Sequence, residues 1–337
     1  MFFFAKITPC MQNGKHAIAR GLIDGLGFGT TEFHVLRPGR EVAPEWIHFF
    51  LRQPRILQEA TAYFTGAVGQ QRVPEEFLAN LEIPLPPIST QQRIAAILIG
   101  QMAAVERART AAEVRLEAAK ALPAAYLRAV LNSPDAARWP RRPLREVCVG
   151  AGQYGTSVKA DVEGEGIPIL RMGNLVEGGI RWGDLKHIRL SPAEEDKYRL
   201  AEGDILFNRT NSAELVGKTA VFDGRQDAVF ASYLIRFRAC RGVVDPEFIS
   251  AYINSGQGRA FVAAHMGRAV GQVNISASTM HQMSIPLPPL AYQEAIVDAL
   301  NKQRVAARSA CQAVGAELAA IDAQPGALLR RAFSGEL

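Results

Sequence analysis

Ile83-Pro84-Leu85-Pro86-Pro87 returns as Ile285-Pro286-Leu287-Pro288-Pro289, at an offset of 202 residues. The same offset, with no gap, carries Pro44-Glu45 onto Pro246-Glu247 and Ala67-Val68-Gly69-Gln70 onto Ala269-Val270-Gly271-Gln272. It also takes Gln91 to Gln293, Ile94 to Ile296, Leu98 to Leu300, Leu116 to Leu318, Pro123 to Pro325 and Leu127-Arg128 to Leu329-Arg330. One pentapeptide can recur by chance, but a register held over about ninety residues is an internal repeat. Upstream the offset becomes 203, so that Gly14-Lys15 matches Gly217-Lys218 and Phe4-Ala5-Lys6 matches Phe207-Asn208-Arg209. Met1 then corresponds to Asp204, whereas the second copy begins near Trp139. About sixty residues of the second copy therefore have no counterpart, and the first copy reads as headless.

Each copy has two parts. Short β-type runs, Ile205-Leu206-Phe207, Thr219-Ala220-Val221-Phe222 and Tyr233-Leu234-Ile235-Arg236-Phe237, are punctuated by turn residues, and Pro246 to Tyr252 reads as a short helix. The mixed α/β globule ends at the Pro-rich pentapeptide, because proline removes backbone donors and disfavours helix in the residue before it. A long helix follows. Ser89 with Gln92 three residues on predicts a capping box, and Pro123 is the next proline, an expected stop. Leu98, Val105, Ala112 and Ala119 fall seven apart with Leu116 beside them, matched by Leu300, Ala307, Val314 and Ile321 with Leu318. Such a stripe packs on another helix, and the repeat supplies the partner; the bland alternative is that each stripe covers its own globule.

Composition excludes several classes. Apolar residues at 48% and charged residues at 21% describe a globular chain, and no run approaches the ~20 apolar residues of a membrane span. Cys10, Cys148, Cys240 and Cys311 form no CxxC pair, which predicts a reducing cytoplasm and no metal. A net charge of +5 suits a polyanion partner without demanding one. No Gly-rich cofactor loop follows a strand, and neither Leu-Pro-Pro site has the Asp/Asn-Pro-Pro-aromatic form that adenine amino methylation uses. Gly217-Lys218-Thr219 imitates the end of a P-loop, yet Ser212 stands where its first glycine belongs and a strand follows where a helix is required. The six histidines show no ligand spacing, and no carboxylate pair stands out as a nuclease centre.

A globule, an Ile-Pro-Leu-Pro-Pro hinge, a Gln-bearing helix, then the whole again: this plan resembles the type I restriction–modification specificity subunit. Its marks are Phe4-Ala5-Lys6-Ile7-Thr8-Pro9-Cys10 with Asn13-Gly14-Lys15, the two hinges, and the ending Leu328-Leu329-Arg330-Arg331-Ala332-Phe333-Ser334-Gly335-Glu336-Leu337. The resemblance implies an α/β (α+β) fold with two target-recognition globules, alternating with two long helices that form an antiparallel coiled coil in a pseudo-twofold repeat. The segments expected are 1–88 (first globule, C-terminal part only), 89–138 (central helix), 139–288 (second globule) and 289–337 (distal helix). It implies a non-catalytic subunit that reads a bipartite site in double-stranded DNA and docks methyltransferase subunits, which restriction/translocase subunits join. S-adenosylmethionine, ATP and Mg would sit on those partners, with no cofactor in this chain. The rival is a truncated or decoy subunit that binds methyltransferase without full DNA readout. Independently, a helix from Ser89 to Leu122 spans roughly 50 Å at helical rise, longer than the ~34 Å turn of B-DNA, as a spacer between half-site readers requires.

The candidate DNA-contacting residues follow from chemistry. Arg209 and Asn211 carry the side chains that fork to guanine and adenine, and their first-copy equivalents are Lys6 and Thr8. Asn13 precedes a Gly turn, and Lys15 and Lys218 follow one in each copy, as sequence-blind phosphate ligands would. Arg171 with Asn174, and Arg72 and Asn274 before the hinges, complete the set. Gln70 and Gln272, kept in both copies, read as structural, because readers of different half-sites should differ. The competing reading of the whole set is ordinary solvated loop.

Overall fold

The computed structural model describes residues 1–67, 69–159, 165–212, 215–269 and 272–337. Of the repeated residues, Val68, Val270, Gly271 and the side chains of Ala269 and Gln272 lie outside that description. The chain divides into two compact units, Met1–Ala118 with Ala310–Leu337, and Ala119–Ser309.

In the first unit, β1 (Phe2–Ala5) lies between β2 (His16–Ile18) and β3 (Phe33–Leu36), antiparallel to both. Alternation along β1 sends Phe2 and Phe4 into a core with Met11, Ile47, Phe50, Leu51, Ile56 and Phe77. These come largely from α1 (Pro44–Leu51), α2 (Pro54–Ala62) and α3 (Glu75–Ala79). Helices α1 and α2 both open on proline, whose fixed φ suits the first turn and whose missing N–H costs nothing there. After the hinge comes α4 (Ile88–Leu131).

The second unit adds β4 (Arg141–Pro143), α5 (Leu144–Val147), β5 (Cys148–Tyr154), β6 (Ile167–Leu170), β7 (Leu175–Val176), β8 (Gly179–Ile180), β9 (Lys186–Ile188) and α6 (Pro192–Tyr198). Then follow β10 (Asp204–Asn208), β11 (Thr210–Asn211), β12 (Thr219–Val221), β13 (Val229–Phe230), β14 (Leu234–Ala239), α7 (Pro246–Asn254) and α8 (Gly256–His265). β15 (Gly267–Ala269), β16 (Gln272–Asn274), α9 (Ala277–Met280), β17 (Ser284–Pro286) and α10 (Leu290–Ser334) complete it. The main sheet has the order β12-β10-β14-β5, with β11-β16-β15 and β13-β6-β9 as smaller sheets.

The repeat is now structural. β1, β2, α1, α2, α3 and α4 stand at the places of β10, β12, α7, α8, α9 and α10, and β3 pairs with β1 as β14 pairs with β10. The repeated glutamines show why the register is strict. Gln91, fully buried, accepts from the Ala43 N–H (3.0 Å) and donates to the Glu41 and Pro86 carbonyls (3.0 and 2.8 Å). Gln293, equally buried, accepts from the Asp245 N–H (2.9 Å) and donates to the Val243 and Pro288 carbonyls (3.3 and 2.8 Å). One amide ties three backbone groups of hinge and loop in each unit, an arrangement that leaves none of them orphaned.

Two helix expectations are corrected. Ser89 lies inside the first turn of α4, where the Pro87 carbonyl accepts from the Thr90 and Gln91 N–H groups instead of a Ser89 cap. Pro123 does not end the helix, which continues to Leu131, and Pro325 is likewise interior to α10. Burial of Leu127 and Leu131 beyond Pro123, and of Leu329 and Ala332 beyond Pro325, offsets the hydrogen bond that proline removes.

The long helices pack antiparallel. In the first unit Leu98 of α4 clusters with Leu329 and Ala332 of α10, and in the second Leu127 and Leu131 share a core with Ile296, Val297 and Leu300. Arg115 donates to Glu317 at 2.6 Å, and Arg109 lies 3.6 Å from Asp322. Arg115 and Glu317 occupy the same position of the two copies, and a residue meets its own counterpart only at the midpoint of a pseudo-twofold pair. Leu98, Ala112, Ala119, Leu300, Ala307 and Ile321 are buried, while Val105, Leu116, Val314 and Leu318 are half-buried.

Candidate nucleic-acid interface

In the second unit the centre of the candidate surface is the tip of β10. Asn208 is fully buried, and its amide donates to the Leu215 carbonyl while its backbone exchanges bonds with Lys218 and Gly217. Asn208 therefore shapes the loop and leaves contact to its neighbours. Gly217 holds φ at +86°, and a Cβ there would stand 2.6 Å from Arg259 Nη1 and 2.9 Å from Val262 Cγ1, so any other residue is strained in this turn. Exposed Lys218 follows directly.

Arg209 has its backbone fixed on both sides, donating to the Tyr233 carbonyl and accepting from the Ile275 N–H. Its guanidinium lies 4.8 Å above the Tyr154 ring, a cation–π contact that orients a planar fork. The Tyr154 hydroxyl is itself held, accepting from the Ala277 N–H at 3.1 Å. Thr210 and Asn211 form β11 and pair with Asn274 and Val273 of β16, which puts exposed Asn274 beside the tip. Asn211 reaches the Met172 sulfur at 3.0 Å, bringing the 171–174 loop to the same place. Within that loop Asn174 is buried: it accepts from the Arg171 N–H and donates to the Arg181 carbonyl. Asn174 therefore serves the loop's shape, while Arg171 makes one long contact, to the Asp184 carbonyl at 3.4 Å.

The first unit repeats the scaffold with other side chains. Lys6 donates its N–H to Glu32 and accepts from Val73, as Arg209 does with Tyr233 and Ile275. Ile7 bridges Arg72 as Thr210 pairs with Asn274. Thr8 is tied through N–H and hydroxyl to Gln71, and exposed Asn13 and Lys15 border the turn at Gly14, where φ is +61°. Arg72 is committed internally. Its Nε and Nη2 donate to the two Glu32 oxygens at 2.9 and 2.8 Å, and this fork holds the Glu32 carboxyl below the usual carboxylate range. Lys6, Thr8 and Arg72 are thus gathered in one unit, and Arg171, Arg209, Asn211, Lys218 and Asn274 in the other.

The family profile of the type I restriction modification DNA specificity domain matches residues 12–109 and 137–303, most of the chain. The chain belongs to that family. Relatives of this specificity-domain chain include the EcoEI specificity subunit of Escherichia coli, 24% identical over 88% of this chain and 66% of its own length. The EcoKI specificity subunit of Escherichia coli (strain K12) is 26% identical over 90% of this chain and 68% of its own length. The chain spans about two thirds of the length of these curated relatives. Its fold is shared with a chain solved for complex assembly and conformational transition of the type I R-M system, at TM-score 0.78 and 23% identity, covering 100% of this chain and 82% of that one. The HsdS subunit from Thermoanaerobacter tengcongensis aligns at TM-score 0.58 and 23% identity over 91% of this chain and 74% of that one.

Four residues of the specificity-domain surface escape a reading of the sequence: Tyr154, Tyr233, Met172 and Glu32. Tyr154 comes from a strand more than fifty residues before Arg209, and only sheet pairing between β5 and β14 brings it there. The one available signal was Gly155, whose backbone passes so close that a Cβ would meet the Phe230 carbonyl at 2.2 Å. Among the described residues no group of His, Cys, Asp and Glu is assembled for a metal, and no helix is long and apolar enough to cross a membrane.

Proposed function

We propose that this chain is the non-catalytic, cytoplasmic specificity subunit of a type I restriction–modification enzyme and selects a bipartite double-stranded DNA site. Methyltransferase subunits, joined by restriction/translocase subunits, carry S-adenosylmethionine, ATP and Mg and do the chemistry at that site. Family membership supports the reading, and one observation carries it. Two strand tips of the same backbone plan present different polar side chains, Lys6 and Thr8 against Arg209 and Asn211, while the lysine after the Gly turn is the same in both. Readers of two different half-sites need divergent tips, and a phosphate clamp needs none.

The second unit is the stronger reader. Its Arg209 is oriented by Tyr154 and its tip is joined by Met172, whereas the first unit spends Arg72 on Glu32. That internal pairing leaves Lys6 and Thr8, and not Arg72, as the first unit's reading side chains. The test is binding of the chain, assembled with its methyltransferase, to cognate and scrambled duplexes across a salt series. Arg209→Ala costs about 1–3 kcal/mol on cognate DNA and relaxes one base pair of one half-site. Lys218→Ala weakens both duplexes alike and flattens the salt slope by about one phosphate contact. An Arg209→Ala variant that weakens both duplexes equally, or neither, refutes base reading by this tip.

A further inference from the structure

Within the second unit, α10 carries polar side chains that the repeat does not require. At the offset of 202, Asn301, Arg304 and Arg308 correspond to Ile99, Met102 and Glu106, so the helical scaffold common to both copies is built without them. All three are engaged. Asn301 donates to Glu247 of α7 at 3.0 Å and accepts from Arg304 Nη1 at 2.9 Å. Arg308 lies 3.7 Å from Glu177. Arg304 Nη2 lies against Gly178, where an added Cβ would stand 2.5 Å from it. Gly178 thus serves a close approach as well as a left-handed turn, with its φ at +83° following Glu177 at +53°. Burial lowers the Arg304 guanidinium from its ordinary range, and the charges of Glu247 and Glu177 oppose that shift while Arg308 adds to it.

Glu177 and Gly178 form the turn of the β7–β8 hairpin, whose other end carries the 171–174 loop. Arg181 closes that end. Its N–H donates to the Asn174 carbonyl at 2.8 Å, its carbonyl accepts from Asn174 Nδ2 at 3.1 Å, and its Nη2 donates to the Gly173 carbonyl at 3.0 Å. Asn174 accepts from the Arg171 N–H at 2.9 Å, and Asn211 reaches the Met172 sulfur at 3.0 Å. Leu175 to Glu177 separate this end from the turn on α10, ~10 Å at strand rise. Leu175 and Ile180 lie in the core, which holds the middle of the hairpin and leaves its tilt to the two ends. A two-stranded hairpin is marginal by itself, so its aim is set by what it leans on. Arg171 has little of its own to hold it: beyond the 3.4 Å contact to Asp184, its buried Nε has no hydrogen-bond partner. Its direction follows the loop, and the loop follows the hairpin.

We infer that Arg304 is a positioning residue for base discrimination: seated on Gly178 and braced through Asn301 to Glu247, it sets the tilt of the β7–β8 hairpin and so the aim of Arg171 at DNA. That role rests on the second unit reading DNA, so one arm of the test uses none. Arg304→Met keeps the aliphatic cover and gives α10 the residue that α4 carries at this position. Gly178→Ala pushes the guanidinium away from the other side. In both variants, without DNA, the amides of residues 175–181 exchange at least about tenfold faster, while those of β10 and β14 keep their rates. In the chain assembled with its methyltransferase, Arg304→Met lowers the ratio of cognate to scrambled binding by about tenfold, the scale of one lost base contact. Binding to scrambled DNA and its salt slope stay unchanged, because no phosphate ligand has been removed. In an Arg171→Ala background Arg304→Met removes nothing further, whereas its effect adds to that of Lys218→Ala. Hairpin amides that keep the parent rate in both variants overturn the inference. So does equal weakening of both duplexes, or a loss undiminished by Arg171→Ala. An Arg171→Ala variant with unchanged discrimination refutes base reading by this loop, and the role of Arg304 in discrimination with it; loosened hairpin amides in Arg304→Met then separate that failure from a failure of the brace.

Discussion

Replacing Gln293 by alanine tests the claim that the repeat is held in register by one buried amide per unit. The side chain is fully buried and makes three hydrogen bonds, to the Asp245 N–H and the Val243 and Pro288 carbonyls. Its loss strands a buried N–H, at about 1–3 kcal/mol, and leaves two carbonyls under-satisfied at a smaller cost each. The space vacated adds a cavity contribution of roughly 1 kcal/mol. The sum is about 3–5 kcal/mol, a large part of the ~5–15 kcal/mol that stabilises a typical domain. In urea the second unit's unfolding midpoint then falls with unchanged slope, and its thermal midpoint drops by roughly 8–15 °C. Gln91→Ala does the same to the first unit. The two amides share no partner, so the costs add in the double variant within about 0.5 kcal/mol. A loss below about 1 kcal/mol for Gln293→Ala means that water replaces the amide and refutes the clamp.

Acid should loosen the first unit first. Burial, with His48 and Arg52 adding repulsion, holds His16 down at about 4, and burial with Arg52 does the same to His48, also about 4. The folded pKa values lie below the ordinary 6.5, so the unfolded chain binds more protons between them. The stabilisation is present above pH 6.5 and is lost as pH falls towards 4, and His16→Phe flattens that slope in a melting series run from pH 7 to 4. Gly217→Ala forces a side chain into left-handed backbone against Val262 and costs about 1–3 kcal/mol. Gly14→Ala, with nothing nearer than Leu57 Cδ1 at 3.5 Å, pays only the backbone strain of about 1 kcal/mol; equal urea midpoints for the two would disprove the crowding at Gly217. Leu98→Asp buries a charge among Leu329 and Ala332 and melts the first-unit helix pair at a cost of several kcal/mol. Val105→Asp, at a half-buried site, costs less, and calorimetry that ranks the two the other way round contradicts the seam.

The amino-acid sequence by itself determined the repeat, the hinges, the pairing of two long helices and the tips at 6–8 and 209–211. All of these are local patterns or patterns copied at a fixed offset, and a copied pattern reports a copied backbone. Where α4 and α10 end was decided by packing, because Leu127 and Leu329 find cores that outweigh an interior proline. The partners of the tip were also decided in three dimensions. Tyr154 reaches Arg209, and Glu32 reaches Arg72, only through sheet pairings between segments far apart in sequence. Residue type alone could not tell an arginine with free donors from one already forked to a carboxylate, or an exposed asparagine such as Asn274 from Asn174, buried and bonded to its own loop. Those choices depend on which polar groups the fold leaves unpaired, and pairing is settled only when distant strands meet.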